Sequence, residues 1–187
     1  LVITSPPYIN VFNYHQQYRA SVESLGWDLL HVARSEMGSN RKHRGNRFLT
    51  VIQYCLDIAQ ALVEMRRVSK QSGRIIAVVG RESNVRKTPF YNGDIVTRLG
   101  IRCAGLNAEK RQERVFKNKF GSLIYEDIIH FLPDQRRGAE DQASEIARDA
   151  LSAALRYAPR ESLPDLEDAI ACLGKVAPSP LYYPARG

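Results

Sequence analysis

The sequence has only three cysteines among 187 residues and no long apolar run. Cys55, Cys103 and Cys172 are scattered, and Cys55 and Cys103 fall in apolar stretches. This predicts that Cys55 and Cys103 are core thiols in a reducing compartment, with neither a disulfide framework nor a zinc site. The four histidines likewise lack metal-ligand spacing. The longest uninterrupted apolar stretch, residues 75–79, is far shorter than the roughly 20 residues that span a bilayer. We therefore expect a cytoplasmic protein with no membrane partner.

The amino-terminal segment also lacks a basic and then apolar leader, so no signal peptide is expected. The first residue, Leu1, is not a methionine. We expect that the chain begins inside a longer polypeptide or follows a processed or cleaved segment.

Positive charge is in excess, and it is unevenly distributed. Residues 1–137 carry 22 Lys/Arg against 12 Asp/Glu, a net of +10, and residues 138–187 carry 5 against 8, a net of −3, which sum to +7. A basic body indicates an anionic partner, nucleic acid above all. The change of character after Pro133 divides the chain into a predicted body, residues 1–137, and a helical tail with a Pro-rich end, residues 138–187.

Hydrophobic periodicity predicts an α/β fold that ends in an antiparallel hairpin and carries a helical hairpin as its tail. That tail is too small to fold alone, so its apolar faces must rest on the body or on another chain. The expected elements in order are a strand at 1–4, a loop with a short helix at 9–33, a mobile surface loop at 37–47, a helix from Phe48 to before Gly73, a strand at 73–80, a helix at 92–99, strands at 101–116 and 123–132, and tail helices around 143–155 and 166–173.

The first strand runs directly into Ser5, Pro6, Pro7 and Tyr8. In open α/β sheets, ligands bind at the carboxyl ends of the strands. The two prolines fix φ and remove N–H donors, which leaves a stiff loop with exposed carbonyls, one hydroxyl and one aromatic face. Such a loop suits a planar group with an exocyclic amine, because oxygens accept from the amine and Tyr8 stacks on the ring. A structural Pro-Pro turn or a polyproline ligand remains the alternative.

On these residues the chain resembles the amino-methylating DNA methyltransferases. Ser-Pro-Pro-Tyr is typical of the cytosine-N4 enzymes, and Asp or Asn in place of Ser5 is commoner in the adenine-N6 enzymes. The resemblance implies part of a Rossmann-like sheet, S-adenosylmethionine as cofactor, DNA as partner, and DNA methylation of the kind found in restriction–modification. Ser5 and the Pro6 carbonyl would orient the target amine, and Tyr8 would stack on a flipped base. The element order extends the resemblance over about 130 residues, of which only the tetrapeptide, Ser5 to Tyr8, is motif-specific.

The family's cofactor-binding pattern, a Gly-rich turn followed by an acidic residue, has no counterpart in this sequence, where the glycines of the body are isolated. We therefore expect the chain to be a catalytic half, inactive alone. The cofactor-binding half would lie upstream or on a separate chain, and no cofactor-binding residue is assigned here.

Nucleic-acid contacts are predicted from two groups of residues. The densest basic cluster would contact backbone phosphate or else form a solvated loop, and the residues shortly after the motif would line the base pocket or the DNA cleft or else pack internally. The candidates are Arg41, Lys42, Arg44 and Arg47 in the first group, and Tyr14 and Arg19 in the second. Lys117 and Lys119 are weaker candidates of the first kind. An RNA methyltransferase, or a non-catalytic nucleic-acid-binding scaffold with the same fold, remains an alternative function.

Overall fold

The computed structural model describes residues 1–11, 13–39, 42–134 and 138–183. In the described part of the body, four helices follow the first strand, and the remaining strands come in two groups separated by one helix; two helices form the tail. In chain order the elements are β1 (Val2–Thr4), α1 (Tyr14–Gln17), α2 (Arg19–Ser24), α3 (Leu29–Ser35), α4 (Leu49–Val68), β2 (Ile75–Gly80), β3 (Glu82–Val85), β4 (Thr88–Tyr91), α5 (Asn92–Arg102), β5 (Leu106–Lys117), β6 (Leu123–Pro133), α6 (Gln142–Ala154) and α7 (Leu163–Ala171).

Among the described residues, the main sheet has the strand order β1-β2-β6-β5, and β3 pairs with β4 in a separate hairpin. β1 runs parallel to β2, whereas β2–β6 and β6–β5 are antiparallel. The fold is therefore mixed α/β with a mostly antiparallel sheet. The parallel pair sets the direction of the sheet, because it places the residues after Thr4 and those after Gly80 at the same edge.

The core lies between one face of the sheet and the long helices. Ile75, Ala77 and Val79 are at most 1% exposed, as is Phe131 of β6. Both strands contact α5, and the four side chains belong to one buried cluster with side chains of α4. Gly100 of α5 gives Phe131 its space, since a Cβ there would lie 2.6 Å from the ring. Apolar burial of this kind is the dominant stabilising term, about 25 cal/mol per Å².

The tail helices pack on this same core. α6 contacts both α4 and α5, and its apolar stripe, including Ile146 and Leu151, is fully buried. Of the two supports predicted for the tail, the body or another chain, the structure shows the body. The proposed division at residue 137 falls within 135–137, outside the described residues.

Several element predictions need correction. The segment expected to be a loop with one short helix, 9–33, holds α1, α2 and α3 within the described residues 13–35. The strand expected from residue 101 begins at Leu106, because α5 continues to Arg102. The β3–β4 hairpin was not predicted. Its turn has Arg86 and Lys87 at φ 49° and 64°, positions at which Asn or Gly is the usual signal.

No helix in the described part of the chain is long and apolar enough to cross a membrane.

Candidate active site

The motif loop (Ser5, Pro6, Pro7 and Tyr8) lies at the carboxyl edge of the sheet. It leaves β1 at Thr4, which pairs in parallel with Ala77, and so it runs beside the last residues of β2. Ser5 is exposed, while the two prolines and Tyr8 are partly buried. The predicted loop therefore places the exposed Ser5 beside two strand ends, where its side chain hydrogen-bonds Tyr8.

Two glycines fix the position of Tyr8. A Cβ on Gly80 would lie 2.9 Å from Cε2 of the Tyr8 ring, so the ring packs directly on the end of β2. A Cβ on Gly38 would lie 2.9 Å from the Tyr8 carbonyl oxygen. Gly38 has φ +63° and also accepts a hydrogen bond from the Asn10 amide at 2.8 Å. The backbone around Tyr8 is thus held from both sides by close approaches that only glycine allows.

The hydroxyl of Tyr8 donates to Oε1 of Glu126 at 3.1 Å. Glu126 is buried in β6, and its other oxygen accepts from Nε of Arg114 in β5 at 2.7 Å. Burial raises the pKa of the Tyr8 hydroxyl above its ordinary value, and Glu126 raises it further, whereas hydrogen bonds from Ser5 and the Gly80 backbone oppose the rise. Tyr8 is therefore neutral at physiological pH, with its proton directed to a carboxylate.

A cavity of about 180 Å³ lies beside Ser5 and the prolines. Its inner wall is apolar and includes Ile58 and Leu62 of α4 and Ala77 of β2. A second cavity of about 620 Å³ shares Met37 and Ala61 with it. Its carboxylate Asp57 already accepts two hydrogen bonds from Ser179, at 2.6 and 2.5 Å. These walls do not fit S-adenosylmethionine, because they offer neither a glycine-rich turn nor a free buried carboxylate for ribose hydroxyls.

The predicted nucleic-acid residues near the motif occupy short helices. Tyr14 is partly buried in α1 and stacks on Tyr18 with ring centroids 6.3 Å apart. Arg19 is exposed in α2 and pairs with Glu23 at 2.7 Å. The roles of Tyr14 and Arg19 in nucleic-acid binding stay predictions.

The basic cluster divides into engaged and exposed members. Lys42 is partly buried and donates to Ser179, and this burial lowers the pKa of its ammonium group. Arg44 and Arg47 are exposed. Lys42 and Arg44 line a cleft of about 580 Å³ together with His15 of α1. Arg41 lies outside the described residues. The phosphate contacts predicted for these residues remain predictions, and Lys42 is less available for one than a solvated lysine.

Sequence reasoning missed the residues that hold Tyr8, namely Gly38, Gly80 and Glu126. Gly80 carried a usable signal, because a glycine at the end of a buried strand often marks a close backbone approach. Glu126 had none, since it is distant in sequence and only the strand register brings it beside Gly80. Groups of three or more His, Cys, Asp or Glu that could hold a metal ion do not occur among the described residues.

Fold and site together define an α/β protein with a proline-stiffened loop at the carboxyl edge of its sheet. The sequence is 24% identical, over 126 residues, to the Type II methyltransferase M.MjaII of Methanocaldococcus jannaschii. That alignment covers 67% of this chain and 23% of the relative, so the chain spans about a quarter of that protein's length. No family model matches the chain. No solved structure matches it either. The likeness is distant, and it supports methyltransferase as the class.

Proposed function

We propose that this chain is the catalytic half of an S-adenosylmethionine-dependent DNA methyltransferase that modifies an exocyclic amine of a flipped base. Cytosine N4 is the favoured target over adenine N6, because Ser5 holds the first position of the motif. The observation that carries the proposal is the motif loop itself, rigid and open at the sheet edge. The distant likeness to M.MjaII supports the same class.

The chain's own residues would bind and orient the amine. The exposed Ser5 Oγ and the Pro6 carbonyl accept its two hydrogens, which directs the nitrogen lone pair out of the base plane. The prolines keep this arrangement fixed before the base arrives, so little conformational entropy is lost on binding. The base leaves the duplex at a cost of a few kcal/mol, which stacking and hydrogen bonds in the site must offset.

Tyr8 serves as a stacking platform in this proposal and not as an acid or base. Its proton is directed to Glu126, and its pKa is raised, so its hydroxyl has no free role in proton transfer. One side of the ring rests on Gly80, which fixes its height above the sheet. Stacking of a base on such an aromatic ring is worth about 1–3 kcal/mol.

S-adenosylmethionine would be bound mainly by residues outside this chain. When bound, it would supply the methyl group. The free edge of β1 supports this division. β1 pairs with β2 alone among the described strands, and its Ile3 side chain is 65% exposed. An added parallel strand at this edge would place a cofactor site next to the motif loop. That segment, upstream or on a separate chain, is the proposed protein partner, and DNA is the proposed nucleic-acid partner.

The test is methyl transfer from labelled S-adenosylmethionine to mixed DNA, with nucleoside analysis of the product, using the full-length protein or the reconstituted pair. Ser5→Ala should lower transfer on the order of 10²-fold or more, as loss of one positioned hydrogen-bonding group does elsewhere. Tyr8→Ala should abolish it, whereas Tyr8→Phe keeps the ring and should retain most activity. Ser72→Ala, an exposed serine beyond the amino end of β2, is the matched control.

Activity of Ser5→Ala and Tyr8→Ala within a few-fold of the parent would refute the catalytic assignment. Methylated RNA nucleosides in place of DNA nucleosides would move the proposal to RNA. No product from the complete protein would favour the scaffold alternative.

A further inference from the structure

The β5–β6 hairpin extends beyond the rest of the sheet. Gly80, the last residue of β2, pairs with Glu126, and β6 begins three residues earlier at Leu123. Residues 114–125, which we call the arm, therefore project from the carboxyl edge. Arg114 pairs with Glu126, and the Arg81 amide donates to the Tyr125 carbonyl at 2.9 Å; beyond these contacts the strand partners of the arm lie within it. At about 3.3 Å per residue, the paired part reaches roughly 10 Å past Gly80 before the turn.

The arm carries an unusual number of exposed apolar side chains for a solvated hairpin. Phe120 at its turn is 80% exposed, and Phe116 and Tyr125 are each 41% exposed. Val115 and Leu123 add to this surface on the face of Tyr125, at 42% and 52%. The guanidinium groups of Arg81 and Arg114 lie 5.1 and 5.3 Å from the ring centroids of Tyr125 and Phe116. A contiguous exposed apolar surface of this kind marks an interaction site.

The turn holds Phe120 outward by its own hydrogen bonds. Oδ1 of Asn118 accepts from the amides of Phe120 and Ser122 at 2.9 and 3.0 Å. Gly121 supplies the left-handed backbone, φ +82°, and its amide donates to the Asn118 carbonyl at 3.0 Å. The aromatic ring is thus exposed on a pre-organised tip, which lowers the entropy lost on binding.

All charged side chains of the arm are positive, and those near the tip are not paired with carboxylates among the described residues. Residues 114–125 contain Arg114, Lys117 and Lys119 and no Asp or Glu. Arg114, at the root, is neutralised by Glu126. None of the ion pairs between described residues includes Lys117 or Lys119, and Nζ of Lys119 lies 5.0 Å from the Phe120 ring centroid. Among the described residues, the tip therefore presents two lysines without a carboxylate partner beside the exposed Phe120 ring, one of them in contact with that ring.

From these observations we propose that the arm binds nucleic acid beside the motif loop, with Phe120 stacking on a base and Lys117 and Lys119 contacting phosphates. Adjacent cations and aromatic faces suit a polyanion with stackable rings. The arm starts from the strand pair that holds Tyr8, because Glu126 bonds both Tyr8 and Arg114. A nucleic acid that is bound at the motif loop and extends outward would therefore contact the tip of the arm. The choice of DNA as the nucleic acid rests on the proposed function; the binding surface does not.

Binding can be tested without methyl transfer, by fluorescence anisotropy of this chain with a labelled duplex containing one mismatched pair, which eases base extrusion. Phe120→Ala should weaken binding about 5- to 100-fold, the range for loss of one stacked base, and Phe120→Tyr should restore it. The Lys117→Gln/Lys119→Gln double variant should reduce the slope of log affinity against log salt by about 2 between about 50 and 200 mM.

Matched controls lie away from the catalytic edge. Tyr157→Ala removes an aromatic side chain that is 61% exposed beyond α6, and Lys70→Gln/Lys175→Gln removes two exposed lysines outside the arm. Both controls should bind like the parent, and all variants should keep the parent's melting temperature, since the changed side chains are exposed.

Equal binding by the arm variants and the controls would overturn the proposal, as would failure of the parent to bind nucleic acid at low salt. Binding of phosphatidylserine vesicles in place of the duplex, lost in Phe120→Ala, would assign the arm to a membrane surface and also overturn it. A methylation-defective Ser5→Ala protein that still loses duplex affinity on Phe120→Ala would support the arm independently of the catalytic assignment.

Discussion

Gly80→Ala tests the structural basis of the site most directly. The added Cβ would lie 2.9, 3.1 and 3.4 Å from three carbons of the Tyr8 ring, whereas relaxed carbon contacts are about 3.5–4.0 Å. Gly80 does not have a left-handed backbone, so the substitution strains the contact and not φ. The ring must move by roughly 0.5–1 Å to restore normal contact distances.

That displacement would lengthen the hydrogen bond between Tyr8 and Glu126, which is already near the upper end of the usual range of distances. The Tyr8–Glu126 bond is 3.1 Å long, and a shift of this size would carry it toward or past the limit of a useful bond. Overpacking and a weakened bond to a charged group together should lower the free energy of unfolding by about 1–2 kcal/mol. For a chain of this length that corresponds to a melting temperature lower by about 2–8 °C.

The pKa of Tyr8 gives a second and more local measurement. Burial and Glu126 raise it above its ordinary value, so displacement toward solvent should return it toward that value. NMR titration with ¹³Cζ-labelled tyrosine, assigned with Tyr8→Phe, would follow it. The matched control is Gly174→Ala, where a Cβ meets nothing within 4 Å. If Gly80→Ala and Gly174→Ala have the same melting temperature and the same Tyr8 titration, the proposed packing of Tyr8 on β2 is wrong.

Two further predictions concern buried carboxylates. Asp127→Ala removes the carboxylate that lies 2.7 Å from Arg111, and it should lower the free energy of unfolding in urea by about 1–2 kcal/mol, less than for a fully buried pair because Arg111 is partly solvated. The control Glu64→Ala breaks an exposed pair with Arg67 and should cost under about 0.5 kcal/mol, so equal losses would refute the prediction. Burial raises the pKa of Asp57, so the folded state holds its proton to higher pH than the unfolded state, and stability from this group is lost as pH rises through that window. Asp57→Asn should flatten the stability profile as pH rises above the ordinary aspartate pKa of about 4 and should raise stability at neutral pH, and parallel profiles would contradict the assignment.

Elements with strong periodicity could be predicted from the sequence, and elements defined by tertiary contacts could not. The stripe that begins at Val51 gave α4 nearly to its bounds, because burial of one helix face fixes its period. The short helices of residues 13–35 bury few side chains, among them His15 and Val22, so they leave no periodic trace. His15 is held instead by Glu36, at 2.7 Å across a gap of 21 residues.

The site shows the same limit. The residues of the motif loop are contiguous, so the sequence predicts both the loop and its place after a strand. Its support is distributed over Gly38, Gly80 and Glu126, which only the strand register and a tight loop contact bring to Tyr8. The exposure of Phe120 was equally hidden, because the sequence does not show how far β6 extends beyond β2.

The alternation of burial in β2 bears on the proposed cofactor-binding segment. Ile75, Ala77 and Val79 are fully buried against the helices, yet Ile76 and Val78 between them are equally apolar and only partly buried. A strand with solvent on one face normally alternates apolar and polar residues, whereas a strand without alternation is typical of sheets covered on both faces. Ile3, the neighbour of Ile76 in register, extends the same uncovered surface to the free edge. The sequence of β2 thus fits a sheet with a second covering layer, and the segment that we propose to carry the cofactor site would supply that layer while pairing with β1.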